Sequence, residues 1–413
     1  MPELPEVQTI VDELKEKLTG KRITDVWGDW QKTFKQAGGL ENFKKKTKNR
    51  KILNVRRRAK YIIIDIEGPQ TILIHQKISG HLLYGKWVKR NKISNIKYQN
   101  DTDFIEHLPI SSKILDKVGT RQSRDKSKFK NNQIWISKMP GPLKDDRQNQ
   151  YIRVIFSLNN GWQLALSDLR RFGKIILIDD DKIVPISARG NRGSPDFIED
   201  PRRSRDSTSN KIRDFDEIGK SLKEIKELGP EPLEISFNEF EKLFMGEAGA
   251  SSEQGERVGR RFTRDETSSH RGNRLSERGR KGTSEAKSPP SRKRGRLKQV
   301  LMDPTFIAGI GNIYSDEILW DAGYHPLKRV EKLKEPDLKK IFNSTKKVLK
   351  TAIKYRGDSI DDYRLPSGEK GRYQEVQNAY QQTGKKCKKG DGGIIKRIKI
   401  NGRSAHFCPV HQK

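Results

Sequence analysis

Residues 297–326 read Leu-Lys-Gln-Val-Leu-Met-Asp-Pro-Thr-Phe-Ile-Ala-Gly-Ile-Gly-Asn-Ile-Tyr-Ser-Asp-Glu-Ile-Leu-Trp-Asp-Ala-Gly-Tyr-His-Pro. The apolar spacing predicts a short helix ending near Asp303-Pro304, because a proline disfavours helical geometry in the residue before it. A turn bracketed by Gly309 and Gly311 follows, then a second helix through Tyr314 to Ala322. Glycines let a backbone approach a phosphate closely, and the helix start beyond them offers N–H groups without intrahelical partners. Taken alone, the stretch is a weak anion site.

The rest of the chain strengthens the anion reading. Its 413 residues carry a formal net charge of +32, and only 32% are hydrophobic. The length suits two or three domains with a sizeable core. The charge points to a polyanionic partner, nucleic acid first, against the plainer alternative of a solvated basic surface. Two cysteines, Cys387 and Cys408, are too few for a disulfide framework and suit a reducing compartment or a metal site. No apolar run is long enough to span a bilayer, and the first six residues include two acids, unlike a signal peptide. A soluble, cytoplasmic monomer with no membrane partner is expected.

The chain opens Met1-Pro2-Glu3-Leu4-Pro5-Glu6-Val7. Proline at position 2 permits removal of the initiator methionine, leaving a secondary α-amine. Such amines titrate at about 7.7–8, against about 10.4 for lysine, so far more is unprotonated at neutral pH. A neutral amine attacks carbon electrophiles, and Glu3 and Glu6, within one helical turn, supply carboxylates for proton transfer. Val7, Ile10, Val11, Leu14 and Leu18 recur at helical spacing and stop near Gly20, so the amine heads an anchored amphipathic helix. The positive end of the helix dipole should lower the amine's pKa. The plain alternative is that proline is common in first helical turns.

Segments around 22–27, 52–67 and 71–84, rich in Ile, Val, Leu and Tyr and broken at Gly68-Pro69, read as antiparallel strands. Residues 151–158 and 162–166 flank Asn159-Asn160-Gly161, a hairpin signal. Three polar stretches read as insertions: about 87–146, largely flexible; 186–213; and 246–294, a low-complexity run expected to be disordered, whose positive charge adds nonspecific DNA affinity. Residues 331–355 form a basic helical region.

At the C-terminus, Asn401-Gly402 between alternating segments specifies a tight hairpin with Arg403 beside its tip. Cys387, Gly390, Cys408 and His411 stand at the four positions where a zinc ribbon has its ligands. Histidine replaces a thiolate chemically, but Gly390 has no side chain to ligate. Two readings stay open: a zinc site of Cys387, Cys408 and His411 completed by water, Asp391 or another group, and a hairpin held by packing without zinc.

Taken in order, these motifs resemble bacterial formamidopyrimidine-DNA glycosylases, base-excision enzymes with an N-terminal proline nucleophile. The resemblance covers most of the chain outside the insertions. It implies Pro2 as nucleophile, Glu3 as the acid for the sugar oxygen, and Glu6 as a group that orients the amine or assists proton transfer. Within Arg56-Arg57-Arg58-Ala59-Lys60-Tyr61, Lys60 matches the lysine that binds phosphates flanking the lesion, although the family's glycine before it is Ala59 here. His75-Gln76-Lys77-Ile78-Ser79-Gly80 matches the segment whose methionine fills the gap left by an extruded base, with Ile78 in its place. Asp168-Leu169-Arg170-Arg171-Phe172-Gly173-Lys174 matches a second wedge loop, in which Arg170 pairs with the orphaned base and Phe172 stacks into the kinked duplex. Asn312 in the helix-two-turns-helix element and Arg403 in the finger match phosphate ligands. The region 357–374 contains the loop that closes over the base.

The implied architecture is α+β: an N-terminal β-sandwich with flanking helices (1–185), an insertion and linker (186–227), a helical helix-two-turns-helix domain (228–375), and a zinc-finger-like β-hairpin (376–413). The implied activity is a bifunctional DNA glycosylase and abasic-site lyase for 8-oxoguanine and formamidopyrimidines in double-stranded DNA. It would cleave the strand by β,δ-elimination in a bacterial, nucleoid-associated setting. The alternatives are an endonuclease VIII-like preference for oxidised pyrimidines, and a DNA-binding relative without catalysis.

Overall fold

The computed structural model describes residues 2–91, 133–179, 223–246, 293–360 and 363–413. The chain forms two compact units: Met1–Lys223 with Tyr355–Gln374, and Glu224–Lys354 with Glu375–Lys413. No helix among the described residues is long and apolar enough to cross a membrane.

The first unit runs α1 (Leu4–Leu18), β1 (Ile23–Gly28), α2 (Gln31–Phe34), α3 (Leu40–Thr47), β2 (Ile52–Arg58), β3 (Tyr61–Ile66), β4 (Gln70–His75), β5 (Gly80–Gly85), β6 (Trp87–Asn91), β7 (Gln133–Ser137), β8 (Ile152–Leu158), β9 (Gln163–Asp168) and β10 (Lys174–Asp179). Two four-stranded antiparallel sheets, ordered β1-β8-β9-β5 and β10-β4-β3-β2, face each other. Val26, Leu82, Phe156 and Leu166 from one meet Ile62, Ile64, Ile72, Ile74 and Ile175 from the other in a single core. This is the expected sandwich. Each such aliphatic side chain contributes about 1.5–3 kcal/mol when fully buried.

Helix α1 closes one side of that core because Leu4, Val7, Ile10, Val11, Leu14 and Leu18 all fall on its buried face. Its start is set by a reciprocal capping box: the Glu3 side chain accepts from the Glu6 N–H while the Glu6 side chain accepts from the Glu3 N–H. The chain leaves the helix through Gly20, at φ 83°.

Two features depart from expectation. Residues 87–146 have the pattern of an irregular, flexible insertion, but Trp87–Asn91 pairs antiparallel with Gln133–Ser137. The reason is aromatic burial: Trp87 is 3% exposed, and Trp135 meets Trp27 edge-on at 4.9 Å. Residues 92–132 lie outside the described residues, as do 186–213 and, but for Gly246, Lys293 and Arg294, the stretch 246–294. Second, Tyr355–Gln374 belongs to the first unit rather than to a helical domain ending at 375. Arg356 and Gly357 take left-handed backbone at φ 61° and 82°, turning the chain so that Tyr363 and Leu365 enter the sandwich core. The backbone N–H of Tyr84 on β5 then donates to the Pro366 carbonyl.

The second unit contains α4 (Phe237–Met245), α5 (Leu297–Leu301), α6 (Asn312–Ala322), α7 (Glu335–Lys354) and the hairpin β11 (Lys396–Ile400) and β12 (Arg403–Phe407). The two helices expected in 297–326 are α5 and α6, the second beginning two residues early. Asn401 and Gly402 both have positive φ, 47° and 79°, as a two-residue hairpin turn requires. The hairpin joins this unit through buried ions. Asp316 on α6 binds Lys298 on α5 through one oxygen, and through the other accepts from both the backbone N–H and Nδ1 of His406, each at 2.9 Å. Lys298 also donates to the Ser404 carbonyl at 2.9 Å. Next to it, Glu317 accepts from the backbone N–H groups of Asn378, Ala379 and Tyr380. Burial holds the Glu317 carboxyl above its ordinary range despite those donors.

Lys298→Met would leave Asp316 buried without its cation. A loss of about 3–5 kcal/mol of unfolding free energy is expected, read from denaturant melts; a loss below 1 kcal/mol would show that the pair is not what fastens the hairpin.

Candidate active site and nucleic-acid interface

The N-terminal residues are held in place before any substrate arrives. Pro2 is half-buried, and Glu3 and Glu6 are 3% and 2% exposed. The two oxygens of Glu6 are divided between the Glu3 N–H and the Asp358 N–H, both at 2.8 Å. The Tyr363 hydroxyl donates to the Glu6 carbonyl at 3.2 Å. Burial, then the neighbouring Glu6 charge, raises the Tyr363 phenol well above its usual range, so it stays a donor. A side chain at Gly357 would sit 2.9 Å from the Glu6 carboxylate, which is why the crossing chain is bare there. Asp358, Gly357 and Tyr363 had no role assigned from sequence; the signal available was the glycine at 357.

Ala59 and Lys60 form the two-residue turn between β2 and β3, since Arg58 pairs with Tyr61. Ala59 is at φ 51°, the left-handed region that glycine enters most easily. The Ala59 carbonyl accepts from Arg57, whose other nitrogen donates to Gln8 on α1. Of the clustered cations, Arg56 makes a two-pronged pair with Asp65 at 2.8 and 3.0 Å. Lys60 is half-buried near His75.

His75 ends β4 against Tyr61, with ring centroids 4.6 Å apart, and its Nδ1 accepts from the Lys77 N–H. Burial, then the charges of Lys77, Lys60 and Lys174, pushes the imidazole down to about 3. It is therefore neutral at working pH, consistent with a structural hydrogen-bonder.

Two loops leave the paired ends of β5 and β9. The first carries Ile78, 50% exposed; the second carries the exposed Arg170, with Leu169 and Phe172 50% and 54% exposed. The two loops are hydrogen-bonded together: the Arg170 N–H donates to Ser79 Oγ at 3.1 Å. The three wedge residues named from sequence thus share one rim.

In the second unit, Asn312 opens α6, and its amide nitrogen lies 3.4 Å from Ser404 Oγ. Its Oδ1 is buried without a hydrogen-bond partner. Arg403, the residue before Ser404, is exposed at the hairpin tip. The two expected phosphate ligands of this unit are therefore neighbours.

The same unit holds a cluster of metal-ligating groups. Single donor atoms of Cys387, Asp391, Cys408 and His411 lie within 4.8 Å of one another. Gly390, at φ 72°, turns the chain so that the next residue supplies the fourth group. His411 Nε2 lies 3.0 Å from the Trp320 carbonyl, and its Nδ1 lies 2.6 Å from Asp391 and 3.5 Å from the Cys387 sulfur, so the Nδ1 side of the ring is turned into the cluster. Burial works to raise the Asp391 carboxyl, but the Gly393 N–H, His411, Cys408 and Cys387 hydrogen bonds outweigh it and hold it down at about 2. Burial pushes the Cys387 thiol up. Two thiols, an imidazole and a carboxylate make a donor set that fits zinc.

The histidine makes stability depend on pH. Unfolded, it titrates near 6.5, and folded at about 3, so the unfolded chain takes up the proton first. The contribution of neutral His75 is complete above pH 6.5 and is lost as pH falls toward 3. Between pH 7 and pH 5, His75→Gln should lose about 2 kcal/mol less unfolding free energy than the parent. Urea melts at the two pH values measure this, and equal losses would contradict it.

Residues 1–175 match the family described as Formamidopyrimidine-DNA glycosylase N-terminal domain, and residues 280–364 match Formamidopyrimidine-DNA glycosylase H2TH domain. The formamidopyrimidine-DNA glycosylase of Pelotomaculum thermopropionicum is 26% identical over 413 residues, covering 100% of this chain and 99% of its own. That of Prochlorococcus marinus is 44% identical over 117 residues, 28% of this chain and 40% of its own. Among solved structures, the Lactococcus lactis enzyme in complex with a Fapy-dG containing DNA superposes with a TM-score of 0.58 at 22% identity, covering 100% of both chains. Its complex with an abasic site containing DNA gives 0.58 and 22%, covering 100% of this chain and 99% of that one; at these identities the likeness is one of fold. With both domain families matched in order and relatives aligned along the whole chain, the protein belongs to the formamidopyrimidine-DNA glycosylase family of DNA-repair enzymes.

Proposed function

We propose that the protein is a bifunctional glycosylase and abasic-site lyase that removes oxidised purines, 8-oxoguanine and formamidopyrimidines, from double-stranded DNA. The observation that carries the reading is the placement of Pro2 at the head of a buried, capped helix beside Glu3 and Glu6. A DNA-binding module has no use for a fixed secondary amine.

In this mechanism the damaged nucleotide leaves the stack, because its sugar carbon is unreachable inside the duplex. Ile78 and Phe172 fill the space, and Arg170 pairs with the orphaned base. The lone pair of the Pro2 amine attacks C1′, and the C1′–N bond to the base breaks, the base departing with a proton. Glu3 protonates the ring oxygen as the sugar opens, and loss of the amine proton leaves an iminium. Proton abstraction at C2′ then expels the 3′ phosphate, and δ-elimination expels the 5′ phosphate. Glu6 orients the amine, a role favoured by the two backbone N–H groups that occupy its oxygens. Lys60, Asn312 and Arg403 hold the phosphate backbone, contacts that carry little sequence information.

The same reading assigns one zinc ion to Cys387, Asp391, Cys408 and His411, where it would crosslink the residues flanking the hairpin to the segment beginning at Cys387. Its role is structural, and no step of the reaction passes through it.

Borohydride trapping on duplexes carrying 8-oxoguanine opposite cytosine, or an abasic site, tests the chemistry. Adducts are expected on both, and Pro2→Gly should reduce them to background; trapping that survives the substitution would move the nucleophile elsewhere. Adducts only on the abasic duplex, with activity on oxidised pyrimidines, would favour an endonuclease VIII-like specificity, and binding without any adduct would mark a non-catalytic relative. Metal analysis should find one zinc per chain, with Asp391→Ala holding clearly less; a zinc-free native protein would contradict the assignment.

A further inference from the structure

Ile78, Leu169 and Phe172 are three of the eight large apolar side chains that stand exposed among the described residues, and all three sit on the two loops at the β5–β9 end. Exposed tips of this kind are useful only if held rigid, because ordering them on contact would cost affinity. The first loop is a tight turn: the Gly80 N–H donates to the Gln76 carbonyl at 3.1 Å, and Lys77 is at φ 56°. A Cβ on Gly80 would lie 2.4 Å from that carbonyl, so only glycine closes the turn. The second loop has Arg171 at φ 57°.

Both loops meet at one carboxylate. Asp168 is 0% exposed. Its Oδ1 accepts from the Ser79 hydroxyl at 2.5 Å and from the Arg170 N–H at 3.1 Å, and its Oδ2 accepts from the Gly173 N–H at 2.7 Å. Ser79 Oγ in turn accepts from the Arg170 N–H. One carboxylate thus binds the start and the end of the second loop, and one hydroxyl ties that loop to the first. Asparagine could not substitute, because it offers an NH2 where a second acceptor is needed.

Resting on the proposed function, we propose that Asp168 and Ser79 form a latch that makes the two loops one rigid wedge, with Asp168 the positioning residue and Leu169 a third apolar tip beside Ile78 and Phe172. Leu169 and the latch have no part in the mechanism above. They deepen it by explaining how a branched, short Ile78 fills a gap: it works as part of a fixed surface rather than as a single flexible probe.

The test uses the full-length protein and two duplexes, one undamaged and one carrying a tetrahydrofuran abasic analogue opposite 2-aminopurine. The ratio of their dissociation constants reports wedge insertion, as does the emission of the orphaned 2-aminopurine. Ser79→Ala and Asp168→Asn should lower the preference for the abasic duplex about tenfold, the scale expected for removing a hydrogen bond to a charged group, and restore part of the free emission. Ser79→Thr, which keeps the hydroxyl, should stay within about twofold of the parent, on the same hydrogen-bond argument. Leu169→Ser should lower the preference in the same direction. If Asp168→Asn fails to fold, Ser79→Ala against Ser79→Thr decides alone. A parental ratio and emission in Ser79→Ala, or equal losses in both Ser79 variants, would overturn the latch. A parent protein with no preference for the abasic duplex would overturn the proposed function and the latch together.

Discussion

The carboxylate of Glu6 is the interaction on which the first unit depends. It is buried, and its two oxygens receive backbone N–H groups from opposite ends of the sequence, Glu3 and Asp358. A buried carboxylate left without donors costs far more than a hydrogen bond returns, so the arrangement enforces itself. Helix α1 cannot start elsewhere without exposing this charge to apolar surroundings, and the segment after Tyr355 cannot detach without leaving it half-satisfied. The position of Pro2 follows from the position of Glu6.

The second unit repeats the principle with two adjacent acids. Asp316 faces Lys298 and His406, while Glu317 gathers the N–H groups of 378–380. Side by side on α6, they fasten the C-terminal segment at two points. The hairpin is therefore registered on the helix that begins at Asn312, which is what places Arg403 near that residue. The cluster of Cys387, Asp391, Cys408 and His411 lies further along the same chain, with His411 bound back to the Trp320 carbonyl on α6.

Much of this was legible from local pattern. Runs rich in Ile, Val, Leu and Tyr broken at turn residues marked the sandwich strands, helical spacing marked α1, the glycine-bracketed turn marked α5 and α6, and Asn401-Gly402 marked the final hairpin. Motif order is what marks Ile78, Arg170, Phe172 and Lys60 as candidates for contacts with DNA. What stayed hidden depends on contacts distant in sequence: Tyr355–Gln374 has no periodicity announcing that it packs on the sandwich. Tryptophans 87 and 135 reveal a strand pair only once Trp27 is beside them. Asp391 was one of several candidates for a fourth donor, and the left-handed turn at Gly390 is what singles it out. Nothing in the local pattern distinguishes Asp168, whose importance is in what its buried oxygens accept from residues 79, 170 and 173.

The β6–β7 pair has a consequence for how the chain tolerates change. Antiparallel pairing fixes Asn91 beside Gln133, so the two positions that bracket residues 92–132 are held together by the strand pair itself. Loop-closure entropy grows only logarithmically with length, about 0.6 kcal/mol for each doubling. Whatever the chain does between those two strands, its length is nearly invisible to the sandwich. The strand pair at Trp87 and Trp135 is thus a socket that accepts segments of very different size without disturbing the sandwich core.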